Sequence, residues 1–212
     1  MRIDRAGWPF ILPAAALAVL GGALWGAPAA VPGVLLAAFF LFFFRDPARA
    51  IPSVGSETVL SPADGRVMFA GDLVGADPPP GQWRQVCIFL SPMNVHINRI
   101  PWGGVVRRVR YHPGRFLPAY RREAGDLNEY AEVWVEHGGR TLVFRQIVGL
   151  LARRVVCRVQ EGEQVTTGQR FGVMKFGSRM DIYVPDGTTL LVKPGDVVTA
   201  GVTPIARLES GR

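Results

Sequence analysis

The sequence predicts a mainly β domain with few short helices, preceded by an N-terminal helical membrane hairpin, and three observations carry the prediction. No charged residue occurs between positions 6 and 44. From Ile51 onward the chain changes to short runs rich in β-branched residues, punctuated by Gly, Pro and Asp, as strands joined by turns require. A stretch from Val159 to Gly168 recurs, 33 residues later, as Val192 to Gly201.

The apolar start divides in two. Trp8 to Trp25 forms one run and Val34 to Phe44 the core of another, with Gly26, Pro28, Pro32 and Gly33 as a breaker-rich hinge between them. At about 1.5 Å per helical residue, the whole run is nearly twice what one crossing of a roughly 30 Å hydrocarbon core needs. Arg2 and Arg5 precede it and Arg45 and Arg49 follow it. The positive-inside rule then sets both ends, and the domain behind them, on the cytoplasmic face of the inner membrane. Each run is short for a span, so two full crossings and a re-entrant pair in one leaflet both stay open. A signal peptide cleaved near Ala27-Pro28-Ala29 would leave the second run without a role. The expected division is an anchoring hairpin over 1–50 and a single β domain over 51–212, long enough for one core.

Within that domain the candidate strands run over 59–60, 65–69, 85–90, 103–111, 129–137, 140–148, 155–159, 172–176, 180–184 and 189–192. His137-Gly138-Gly139-Arg140 reads as a hairpin turn. Asp77-Pro78-Pro79-Pro80-Gly81 reads as a stiff surface loop. Each copy of the repeat gives a strand, a Gly-acid turn, a short apolar step and a second turn, with Gly162-Glu163 matched by Gly195-Asp196. That is the local grammar of a barrel-sandwich hybrid, and two copies imply pseudo-symmetry rather than a solenoid. A biotin carrier shares this grammar, with its lysine at a hairpin tip like Lys175. Phe176, where a carrier has a second methionine, counts against it.

The formal charge of +7 admits nucleic acid, anionic lipid or an acidic substrate. Basic residues come in scattered pairs, Arg107-Arg108, Arg121-Arg122 and Arg153-Arg154, without zinc spacing or a basic helix, so no nucleic-acid partner is expected. Beside an apolar anchor, anionic phospholipid and the membrane are the better partners. Cys87 and Cys157 each lie in an apolar run, where cysteine is more often a buried small hydrophobe than half of a disulfide. No metal-ligand spacing is evident, and no metal is expected.

Four motifs remain: Ser61-Pro62-Ala63-Asp64-Gly65-Arg66-Val67; Phe89 to Pro101, which contains Pro92-Met93-Asn94-Val95-His96; Gly125-Asp126-Leu127-Asn128-Glu129; and Lys175-Phe176-Gly177-Ser178-Arg179-Met180-Asp181. In this order and spacing they resemble the phosphatidylserine decarboxylase family, in its short prokaryotic branch, over essentially the whole chain. The resemblance implies self-cleavage at Gly177-Ser178 into a large chain, 1–177, and a small chain, 178–212. It also implies a pyruvoyl cofactor made from Ser178, a Schiff base with the serine amine of phosphatidylserine, and release of phosphatidylethanolamine for phospholipid biosynthesis. A homodimer stays open.

The residue types suit that chemistry. A serine oxygen can attack the preceding carbonyl and later leave by β-elimination, and Gly177 tolerates the approach and the strained backbone. Decarboxylation at an amine-bearing carbon needs an electron sink, which the new carbonyl would supply. His96 titrates near neutrality when unperturbed and is the candidate acid or base. The resemblance makes Asp64 a carboxylate that orients a histidine or assists cleavage. Arg99 stands where the best-known branch has a second histidine; a guanidinium cannot be the base, so its expected role is to hold the substrate's carboxylate or phosphate. Asn128 and Glu129 match a family motif without a derivable role. The rival readings are another pyruvoyl decarboxylase, acting on a soluble amino acid and disfavoured by the apolar N-terminus, and a non-enzymatic membrane-anchored barrel-sandwich adaptor.

Overall fold

A computed structural model describes residues 2–73, 79–150, 155–175 and 177–209. Asp77 and Pro78 of the proline loop, the Arg153-Arg154 pair and Phe176 lie outside the described residues. The chain forms two compact units, 1–48 and 49–212.

In the first unit, β1 (Arg2–Ile3) pairs with β2 (Arg45–Asp46) and closes the base of two helices, α1 (Trp8–Trp25) and α2 (Ala27–Phe43). The hinge contracts to Gly26, whose φ of 84° ends α1. Pro28 falls in the first turn of α2, where a missing N–H is one of the helix's unpaired donors anyway, so it starts the helix instead of breaking it. The helices touch through small residues: a Cβ on Gly33 would overlap the Ala18 backbone, and one on Gly21 would come within 2.6 Å of the Ala29 carbonyl oxygen. Phe10 packs at the base against Phe40 and Phe44, with ring centroids 5.4 and 5.5 Å away. The helical run Arg5–Trp25 is long and apolar enough to cross a membrane, whereas Ala27–Phe43 is a shorter apolar helix. Leu20, Leu24, Trp25 and Leu35 are exposed apolar side chains on this unit.

The second unit is β. Its first half holds β3 (Thr58–Leu60), β4 (Gly65–Asp72), β5 (Trp83–Leu90), β6 (Ile97–Arg99), β7 (Gly104–His112), the one-turn helix α3 (Ala124–Leu127), β8 (Tyr130–His137) and β9 (Arg140–Ile147). Then come β10 (Val156–Cys157), β11 (Gln164–Val165), β12 (Arg170–Val173), β13 (Ser178–Pro185), β14 (Thr189–Leu190), β15 (Val197–Val198) and β16 (Pro204–Arg207). An eight-stranded sheet has the order β11-β7-β8-β9-β13-β5-β4-β15, and two three-stranded sheets have the orders β10-β12-β6 and β14-β16-β3. Val86, Ile88 and Leu90 of β5, Met180, Ile182 and Val184 of β13, and Leu142 and Phe144 of β9 alternate into one buried core, as period-two strands with one covered face require. His137 pairs with Arg140 across a two-residue turn, with Gly138 and Gly139 at φ 54° and 76°, as a hairpin twisted like its strands demands.

The repeat becomes a pseudo-twofold of the sheet. β11 and β15 occupy equivalent places in the two copies and cap opposite edges, on β7 and β4. Gly162 N donates to Val106 O at 2.7 Å and Gly195 N to Val67 O at 2.8 Å; Val106 N and Val67 N return bonds to Glu163 O and Asp196 O, both at 2.9 Å. Each acid also folds back on its own turn, Glu163 Oε2 accepting from Gln160 N and Asp196 Oδ2 from Lys193 N. The bulges in β4 and β7 follow Val67 and Val106. This symmetry equates the Ser61–Val67 motif with Ile100–Val106, so Asp64 corresponds to Gly103. The acid is present in one lobe only.

Candidate active site

Ser178 opens β13 in the middle of the eight-stranded sheet, pairs with Leu90 of β5 and is fully buried. Alternation sets its side chain on the core face with Met180, whereas Arg179 and Asp181 face outward. The hydroxyl donates to the Lys175 carbonyl at 3.2 Å. Gly177 has φ +74°, a conformation that costs a residue with a Cβ about 1 kcal/mol or more. Its carbonyl oxygen lies against Gly149, so closely that a Cβ at 149 would overlap it. Only a bare backbone at 149 allows that approach.

His96 is fully buried, and its carbonyl accepts from Met174 N at 3.1 Å, beside the segment that leads into Gly177. Nδ1 lies 3.0 Å from Asn94 O; a proton there leaves the lone pair on Nε2, the tautomer that can accept. Asn98 Oδ1 accepts from Gln146 Nε2 at 2.8 Å. Because Gln146 pairs with Met180, this bond lays β6 over the core face, one row below Ser178.

Asp64 just precedes β4, and β5 separates β4 from β13, so Asp64 and Ser178 stand at the same end of the sheet. Its oxygens are engaged elsewhere: Oδ2 lies 2.6 Å from Arg49 Nη2, and Oδ1 accepts from Ala200 N at 2.8 Å. Neither partner is His96 or Ser178. Arg99 is buried, its N–H donating to Pro62 O at 2.9 Å and its Nη1 to Gly168 O at 3.0 Å. A substrate anion at this guanidinium would have to share it with that carbonyl.

The third motif acquires a role. Asn128 is fully buried; it donates to Leu117 O and Val148 O, both at 2.8 Å, and accepts from Leu117 N at 2.9 Å. It thereby ties the 113–127 segment to the residue before Gly149. A Cβ on Gly125 would come within 2.9 Å of Arg179 Nη2, so glycine there lets the segment close over the guanidinium.

That guanidinium belongs to a network the sequence reading missed. On the outer face of the sheet Arg179 grips Asp181 with Nε and Nη2 at 2.5 and 2.7 Å, and Gln85 donates to Asp181 at 3.0 Å. Arg145 pairs with Glu132 at 2.7 Å. Burial pushes the Cys87 thiol and the Tyr183 phenol up, with the Asp181 charge adding to both. Opposite charges at alternate positions, Arg179 and Asp181, were the available signal. A buried hydroxyl next to a left-handed glycine, with a buried histidine hydrogen-bonded through its carbonyl to the incoming segment, has the parts that chain-internal acyl chemistry needs.

The sequence is similar to those of known proteins. The family model described as phosphatidylserine decarboxylase matches residues 36–206. The phosphatidylserine decarboxylase proenzyme of Paramagnetospirillum magneticum is 42% identical over 215 residues, covering 98% of this chain and 88% of that protein. The proenzymes of Nitrosomonas europaea and Symbiobacterium thermophilum are each 44% identical, over 96% and 97% of this chain and 94% and 95% of their own lengths. With the match running through the hairpin's second helix, the Asp64, His96 and Asn128 motifs and the Gly177-Ser178 step, the chain belongs to the phosphatidylserine decarboxylase family.

Proposed function

We propose that this chain decarboxylates phosphatidylserine to phosphatidylethanolamine at a site it makes by cutting itself between Gly177 and Ser178. The observation that carries the reading is the buried Ser178 hydroxyl, next in sequence to a Gly177 carbonyl packed against Gly149. Attack of Oγ on that carbonyl gives an ester; β-elimination then releases Gly177 as a carboxylate and leaves a dehydroalanine at 178, whose hydrolysis releases ammonia and gives the pyruvoyl group. The residues fit such a group. The new end would remain tied into the sheet between β5 and β9, because β13 pairs with both over most of its length. The large chain, 1–177, and the small chain, 178–212, therefore stay together after the cut. A pyruvoyl carbonyl supplies an electron sink for the charge left at Cα when CO2 departs.

This chain's own residues do the rest. His96, its ring fixed through Nδ1–H at Asn94 O, takes up a proton at Nε2 and delivers it to Cα. Asp64 serves the cut through geometry, holding the 199–201 turn and Arg49 while Pro62 docks on β6. The core residues exclude water from Ser178 and so favour loss of a carboxylate charge. The apolar hairpin anchors the domain on the cytoplasmic face of the inner membrane, where the lipid headgroup is presented.

The test is CO2 release from vesicles containing phosphatidylserine, compared with free serine. Release from the lipid alone supports the reading. Release from free serine at the same rate would assign the chain to soluble amino acids.

A further inference from the structure

Resting on the self-cleavage reading, we propose that Glu129 is the proton acceptor for Ser178 in the cut. Tyr130 pairs with Ile147, and Ile147 pairs with Arg179; Val148 N bonds Glu129 O at 3.0 Å. Glu129, Val148 and Ser178 therefore form one row across three strands. Alternation places them on the core face, one row above Ala131, Gln146 and Met180. With strands about 4.8 Å apart, the Glu129 and Ser178 backbones are roughly 10 Å apart. An extended glutamate covers about half of that, and with Val148 between the two the rest is bridged through one water.

Glu129 is 7% exposed, and its Oε1 is buried without a hydrogen-bond partner among the described residues. Buried polar atoms are nearly always partnered, and a carboxylate oxygen left open calls for an incoming proton or donor. Of the other groups near the row, His96 is assigned to turnover and three more are poorly placed for the task. Asp64 is held by Arg49 and Ala200. The present partner of the Ser178 hydroxyl is the Lys175 carbonyl, which cannot take a proton, and Arg99 has no lone pair to offer. In the step, the Glu129 carboxylate takes the Oγ proton as the Oγ–C bond to Gly177 forms. It returns that proton to the Ser178 nitrogen as the C–N bond breaks. The products are an ester, a free amine and the regenerated carboxylate, with no co-reactant.

The test follows cleavage of freshly translated precursor over time on denaturing gels, with and without hydroxylamine, which cuts an accumulated ester. Glu129→Gln keeps the shape and removes the proton acceptor. It should cleave at least about 10²-fold more slowly than wild type, at an unchanged melting temperature, and release no extra fragment with hydroxylamine. Glu129→Asp should fall between the two. Glu129→Gln cleaving at the wild-type rate overturns the proposal, as does an ester accumulating in that variant, which would move Glu129 to the elimination step. Should Glu129→Gln not fold, Glu129→Asp decides: slowed cleavage in a folded chain supports the role, and wild-type speed overturns it. A wild-type precursor that never cleaves sinks the self-cleavage reading itself, a distinct result.

Discussion

The carboxylate of Asp64 lies 2.6 Å from the guanidinium of Arg49 and 2.8 Å from the Ala200 amide. Removing it leaves both donors without their acceptor and frees the Ser61–Gly65 turn. Asp64→Ala is therefore expected to yield little cut chain. His96→Ala should still cut at Ser178 yet decarboxylate about 10²- to 10⁴-fold more slowly, the range for a positioned acid or base. Fragment yield and CO2 release, taken on the same preparations, separate the two. An uncut His96→Ala chain would assign that histidine to maturation.

Gly149 and Asn128 should act on the cut without touching the serine. Gly149→Ala puts a methyl group where the Gly177 carbonyl lies, so cleavage should fail in a chain that still folds. Asn128→Ala removes three hydrogen bonds, one buried and two part-buried, and should cost about 2–4 kcal/mol, read as a lower melting temperature. Wild-type cleavage in Gly149→Ala would show that the carbonyl's position does not matter.

The outer-face network is a stability element. Arg179→Ala strands Asp181 in the interior and should cost about 3–5 kcal/mol in urea unfolding. Burial holds Cys87 and Tyr183 protonated in the folded chain, whereas the unfolded chain gives up these protons near about 8.5 and 10. Their contribution is complete below those values and declines as pH rises above them. Melting temperature should therefore fall between pH 8 and pH 10.5, and native Cys87 should resist alkylation at pH 8.

Deleting residues 1–44 should give a soluble chain that still cuts itself, since the serine chemistry lies within 49–212. Activity on bilayer phosphatidylserine should fall much further than activity on dispersed short-chain lipid. Equal loss on both would make the hairpin part of the catalytic fold.

Long, strongly patterned elements were legible in the sequence. The hairpin turn at Gly138-Gly139, the long strands from β4 to β9 and the two-copy repeat all follow from local chemistry. β6 and β16 were absent from the candidate strands, and β11 and β15 were read only as the apolar step of the repeat, because strands this short show no period of their own. The breaker reading of Pro28 and Pro32 failed for a different reason: proline starts a helix in its first turn, as Pro28 does, and α2 carries Pro32 within it. At the site, motif spacing singled out Ser178, His96 and Asp64 as residues. It could not supply their partners, since Asp64 meets Arg49 from 15 positions away and Ala200 from 136. Glu129 stood in a motif, but its place in one row with Ser178 comes from strand register alone.

The central claim is that Ser178 becomes the carbonyl on which the chemistry depends. Intact-mass analysis of purified wild-type protein tests it most directly, with Ser178→Ala beside it. The account predicts two fragments for wild type, 1–177 and 178–212, the small one lighter than a serine terminus requires and ending in a keto group. Ser178→Ala should give one full-length, inactive chain. A wild-type preparation that decarboxylates phosphatidylserine as a single intact chain would contradict it.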